Sequence, residues 1–174
     1  MTQKQLAING LSEFLGEEHH SISQETDRFQ EILTHLRYEG KACIGKNLKE
    51  VRETLKFFNS EVIQHMKFEE ETLFPFLEVH IPKLESVIHL LHAEHEDFKR
   101  NLKSFELSIR ELEKDASEPN DGKTLEKIRE LGIYLIYLIR NHIQAENESV
   151  YKIINQELRP SEKQELKRRI KKAS

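Results

Sequence analysis

His65 and Glu69 stand four residues apart in "HMKFEEETLFPFLE", and His142 and Glu146 repeat that spacing in "HIQAENESVYKIIN". On a helix, residues at i and i+4 lie one above the other on the same face, so each pair offers an imidazole and a carboxylate to one point. His19 and His95 contribute one further imidazole each. Imidazole and carboxylate donors suit iron, with manganese and zinc competing for the same set. Two His/Glu pairs and two single histidines suit two non-haem iron ions bridged by the two carboxylates. Each ion would have two imidazoles and two bridging carboxylate oxygens, with room for a bridging oxo or hydroxo group and one open position. Zinc-hydrolase chemistry is disfavoured, because "HEDFK" at 95–99 lacks the second histidine of H-E-x-x-H.

The elements that must carry these residues are legible in the punctuation. Turn signals fall at "YEGKACIGK" (38–46), "VHIPK" (79–83), "DASEPNDGK" (115–123) and "RPSEKQ" (159–164), leaving four long stretches of helical composition. The first carries Leu15, His19, Ile22, Thr26, Phe29, Leu33 and Leu36 at alternating three- and four-residue steps; the third repeats the plan 76 residues on, from Leu91 through His95 and Phe98 to Leu112. The second runs from Leu48 through Phe58, His65 and Glu69 to Phe76, and the fourth repeats it 77 residues on, from Leu125 through Leu135, His142 and Glu146 to Ile153. Such stripes face a core. The expected fold is all-α: an antiparallel up-down-up-down four-helix bundle built from a pseudo-twofold repeat of one helical hairpin. The expected boundaries are a bundle over 1–158 and a basic C-terminal helix or tail over 159–174, the latter read as solvated or frayed.

Antiparallel neighbours place two residues level when both are equally far from the turn between them. The midpoint of His19 and the His65/Glu69 pair is residue 43, that of the pair and His95 is 81, and that of His95 and the His142/Glu146 pair lies between 119 and 120. All three fall in or beside the turn signals, so the six groups meet at one depth. Each polar group left unpaired there would cost about 1–3 kcal/mol. Any one of these histidines alone reads as a satisfied core or surface residue; six groups, repeated and level, read as a metal centre.

The segments "LGEEHHSI", "HMKFEEETLFP", "LHAEHEDF" and "HIQAENESVY" resemble the four signature segments of the hemerythrin-like, or HHE cation-binding, family over roughly residues 11–157. The resemblance implies a non-haem di-iron centre ligated by His19, His65, Glu69, His95, His142 and Glu146. It also implies a role in oxygen, nitric oxide or iron biology. The chain departs from the oxygen-carrying members, which use five histidines with an H-x-x-x-H pair on the third helix and an H-x-x-x-x-D pair on the fourth. Here the third helix has His89, His92 and His95 at other spacings, and Asn147 stands where the Asp would be. A more symmetric four-His, two-Glu site is expected, resembling the iron–sulfur-centre repair proteins and other bacterial HHE proteins more than the respiratory carriers.

Other residues carry two readings each. Glu18 and Glu94, at matched positions before His19 and His95, either accept an imidazole N–H across the bundle or form a solvated edge. Thr72 and Ser149 either bond the carboxylates or fill space. His92 stands three residues before His95, near enough to join the centre, whereas His20, His35, His80 and His89 read as surface or edge residues. Ile22, Val62, Phe98 and Ile139 are expected to wall the pocket, and Pro75 to bend the second helix.

With 33% charged residues, one cysteine and a formal charge of −4, the 174-residue chain has no disulfide framework and nothing that favours nucleic acid. No apolar run reaches membrane-spanning or signal-peptide length, and a cytoplasmic location is expected. The expected function is binding of, or reaction with, O2, NO or peroxide in a redox, sensing or stress role, with a protein partner or electron donor left open. Two alternatives stand beside it: an iron-dependent sensor or interaction module, and an iron donor for iron–sulfur cluster repair. Nothing in the sequence decides whether the protein is an enzyme.

Overall fold

A computed structural model describes the backbone of residues 3–38, 44–114 and 121–173, and the side chains of most of residues 16–172. The Leu15 side chain, Cys43 and most of the first and third turn segments lie outside the described residues. Among the described residues there are five helical rods and no strand. Helix α1 is Gln3–Tyr38, α2 spans 44–80, α3 is Glu85–Lys114, α4 spans 121–157 and α5 is Pro160–Ala173. The first four form the expected all-α bundle, with α1 packed on α2 and α4, and α3 packed on α4. The turn between α2 and α3 falls at Ile81, whose φ of −137° leaves the helical region directly before Pro82. A proline disfavours helical backbone in the residue before it, which is why "VHIPK" ends the helix.

Two apolar clusters fill the bundle, and the six polar groups form a layer between them. The larger contains Phe29, Phe58, Phe98 and Phe105, with Phe29 edge-on to Phe58 at 5.3 Å and to Phe105 at 5.4 Å. Ile22, Val62, Phe98 and Ile139 belong to it and wall one side of the layer, as their stripe positions require. Gly132 is part of this packing: a Cβ there would lie 2.6 Å from Leu33 Cδ1, so the missing side chain lets α1 and α4 approach. The second cluster holds Leu73, Phe74, Leu77, Ile88, Leu91, Val150 and Ile154, and is completed by Leu166 and Ile170 of α5. The C-terminal segment is therefore a docked helix rather than a solvated one. Its Arg169 guanidinium lies over the Phe76 ring at 5.2 Å, and its Glu162 pairs with His80 at 3.5 Å.

Neither α2 nor α4 is a uniform α-helix. A π turn occupies Glu69–Leu73 in α2, and another occupies Glu146–Tyr151 in α4. Each begins at the carboxylate of a His/Glu pair, so the widening is itself repeated in the two hairpins. A further π turn at Phe58–Val62 has an α-helical counterpart in α4. Such bulges insert a residue into the helical ladder and are frequent at functional sites. Pro75 follows the α2 bulge at once, where its missing N–H falls near the start of the resumed α-helix.

Candidate metal centre

The four helices bring all six expected residues together, and all six are buried: Glu69, Glu146 and His95 at 0% exposure, His19 and His142 at 4%, His65 at 6%. The histidines meet in pairs within each hairpin, His19 Nε2 with His65 Nε2 at 3.2 Å and His95 Nε2 with His142 Nε2 at 3.1 Å. The carboxylates stand between the pairs. Glu69 turns Oε1 to His65 Nε2 at 3.2 Å, and Oε2 to His95 Nε2 at 3.3 Å and His142 Nε2 at 3.7 Å. Glu146 Oε2 lies 3.0 Å from His19 Nε2 and 3.4 Å from His142 Nε2. Donor atoms of His19, His65, Glu69 and Glu146 all lie within 4.8 Å of one another, as do those of Glu69, His95 and His142.

An outer ring fixes which nitrogen faces inward. His65 Nδ1–H donates to Glu18 at 3.0 Å, His142 Nδ1–H to Glu94 at 3.1 Å, His95 Nδ1–H to Glu70 at 2.8 Å, and His19 Nδ1–H approaches the Asn147 amide oxygen at 3.4 Å. With Nδ1 protonated, a neutral imidazole aims the Nε2 lone pair at the centre, which is the tautomer a cation needs. Glu18 and Glu94 therefore take the orienting role, not the solvated one. Glu70 escaped the sequence reading, and Asn147 was noted there only as standing in place of an Asp; each directly follows a carboxylate of the site, and the two are 77 residues apart. Lys99 anchors Glu70 at 3.0 Å. Tyr151 was also missed: it stacks on His19 at 5.1 Å, and its hydroxyl donates to His19 Nε2 at 3.1 Å. Its signal was the repeat, since the matched position is Phe74.

The remaining histidines lie outside the centre. His20 is exposed and bonded to Gln24 at 3.0 Å, and His35 and His89 are exposed. His80 packs at a tilt against Phe76, 4.2 Å between ring centroids, beside α5. His92 reaches only the outer ring, 5.2 Å from Phe74 and close to Glu70 and His95. Thr72 and Ser149 make no bond to the carboxylates; both act as polar filler.

The donor set fits a cation. Glu69 and Glu146 are fully buried, and none of their four oxygens has a hydrogen-bond partner among the described residues. Facing them are imidazole lone pairs, so the cluster is electron-rich on every side. Protons can stand in for cations. Burial lowers the His65 imidazole, but Glu69, Glu18 and Glu146 outweigh it and raise it to about 10; burial likewise opposes, and Glu69, Glu94 and Glu146 likewise raise, His142 to about 10. Burial and the neighbouring His65 lower His19 to about 4. Burial and the facing Glu69 push Glu146 well above the usual carboxylate range, while Glu69 is held well below it because the surrounding imidazoles outweigh its burial. Burial and the two carboxylates keep Tyr151 a neutral phenol.

The family model described as the hemerythrin HHE cation binding domain matches residues 10–154, which covers most of the four bundle helices and all six central residues. No curated protein and no solved structure matches the chain.

Proposed function

The chain belongs to the hemerythrin HHE cation-binding family, whose members bind metal cations, and from that premise we propose that it is a non-haem di-iron protein binding or reacting with O2, NO or peroxide. The observation that carries this reading is the pair of fully buried carboxylates whose oxygens have no hydrogen-bond partner, set among four imidazole nitrogens at one level of the bundle. His19 and His65 would hold one iron, His95 and His142 the other, with Glu69 and Glu146 spanning both. Bound iron would supply a redox-active Lewis acid able to take a small ligand.

The chain's own residues do the rest. Glu18, Glu70, Glu94 and Asn147 hold the imidazoles by their outer nitrogens, and Glu18 and Glu94 raise the basicity of the His65 and His142 rings. The two apolar clusters close the layer above and below, favouring small ligands over bulk water. Cation uptake displaces the protons held on His65 and His142. No helix among the described residues is long and apolar enough to cross a membrane.

The test is the optical spectrum of iron-loaded, anaerobically reduced protein before oxygen, after oxygen, and after its removal. A charge-transfer band that forms and then vanishes means reversible binding, hence carriage, storage or sensing. A persistent band means oxidation of the centre, hence redox chemistry or iron donation. No band and no retained iron would refute the reading.

A further inference from the structure

The repeat that builds the centre is broken in the ring around it. Beside His95 the helices place Glu70, Phe74, His92 and Lys99; the matched positions beside His19 are Asn147, Tyr151, Gly16 and Ser23. The His95 half is charged and filled. Its Nδ1–H donates to Glu70 at 2.8 Å, Lys99 holds Glu70 at 3.0 Å, Phe74 stacks on the ring at 5.8 Å, and His92 packs on Phe74 at 5.2 Å. The His19 half is neutral and roomier. Asn147 lies at 3.4 Å, and a Cβ added at Gly16 would meet nothing within 4 Å. Among the described residues it alone brings a hydroxyl to a central histidine, that of Tyr151.

Tyr151 is 7% exposed, and its O–H is spent on the lone pair of His19 Nε2 at 3.1 Å. That lone pair is the one a cation takes. A buried hydroxyl that loses its acceptor is costly, so on cation binding the O–H must find another. The carboxylate of Glu146 is one acceptor close by; a ligand in the open position beside His19 is the other. Phe74 offers the second half no such donor. We propose that Tyr151 donates its hydrogen bond to a small anionic or diatomic ligand on the cation at His19 and His65, so that exogenous ligands bind in that half and not at His95 and His142. Tyr151 is thus a positioning residue that makes two similar half-sites unequal. The inference rests on the proposal that the cluster holds two cations.

The test loads the full chain with ferric iron and titrates azide, comparing the parent with Tyr151→Phe, which removes one oxygen and keeps the ring. Iron per chain, azide affinity and the shift of the azide vibration in D2O are read together. The variant is expected to keep both irons, to bind azide about ten- to a hundredfold more weakly, as loss of a charge-assisted hydrogen bond predicts, and to lose the D2O shift. Phe74→Tyr is expected to create a second D2O-sensitive azide site. Parental affinity and an unchanged D2O shift in Tyr151→Phe would overturn the proposal. Loss of one iron from that variant would also overturn it, making Tyr151 a ligand of the cation itself. A parent that takes up no iron defeats the cation reading, and this proposal with it.

Discussion

His19, His65 and His142 are three imidazoles of one cluster pulled in opposite directions. His65 and His142 sit against the carboxylates and are raised to about 10, whereas His19, buried beside a charged His65, is lowered to about 4. The sign of the consequence follows from linkage. A raised imidazole contributes stability that is fully present below its unfolded value of about 6.5 and is lost as pH rises towards 10. A lowered one contributes stability present above about 6.5 and lost as pH falls towards 4. Glu69, held low, adds to the loss on the acid side, and Glu146, held high, to that on the alkaline side. Because the Glu146 contribution falls above its unfolded value of about 4.3 while the His19 contribution is still rising, chelated protein should be most stable over a plateau between about pH 4.3 and 6.5 and weaken on either side. Urea unfolding between pH 4 and 10 checks this, and saturating cation should abolish the alkaline decline because the protons it removes are already gone.

At the scale of the element, the two matched π turns and the docked C-terminal helix decide how the centre is held. The bulges at Glu69–Leu73 and Glu146–Tyr151 start at the carboxylates, so the same backbone device aims both Glu69 and Glu146. Helix α5 packs on the first of these bulges and seals the second apolar cluster with Leu166, 0% exposed, and Ile170. Leu166→Ala should cost about 2–4 kcal/mol in chemical denaturation, the usual range for a buried leucine truncation. If α5 also steadies the α2 bulge, the same variant should bind cation more weakly, although Leu166 belongs to the second apolar cluster rather than to the polar layer. An unchanged denaturation midpoint would mean that α5 is not part of the cooperative fold.

For the whole molecule, a polar layer between two apolar cores means that folding buries carboxylates whose partner comes from outside. Cation binding should then stabilise the fold by mass action. At a free concentration a hundredfold above Kd the gain is about 2.7 kcal/mol. For a domain of this size that corresponds to a rise in Tm of roughly 5–10 °C, at 2–4 °C per kcal/mol. Calorimetry of loaded and chelated protein measures the shift, and loading in weak buffer should release protons from His65 and His142 at neutral pH. A Tm insensitive to cation would leave the buried carboxylates without an explanation.

The sequence by itself determined the bundle, its hairpin repeat and the six central residues, because stripe periodicity sets the inward face and turn positions set depth. Both are one-dimensional properties, and His19, His65, Glu69, His95, His142 and Glu146 are level for that reason. The outer ring was only half legible. Glu18 and Glu94 could be named because they precede the first- and third-helix histidines at matched positions. Whether they bonded or faced water depended on helix rotation, which spacing does not report. Glu70 and Tyr151, and the contact of Asn147 with His19, were hidden by the π turns, since an inserted residue changes which side chain faces inward and a regular helical count places them off the stripe. The docking of α5 was concealed by its basic composition, because Leu166 and Ile170 form too short an apolar stripe to stand out. Only the tertiary structure decided that the two halves of a repeated site are unequal. Inequality lies in what Asn147, Tyr151 and Gly16 touch, against Glu70, Phe74 and His92, and contacts between helices are not written in the periodicity of any one of them.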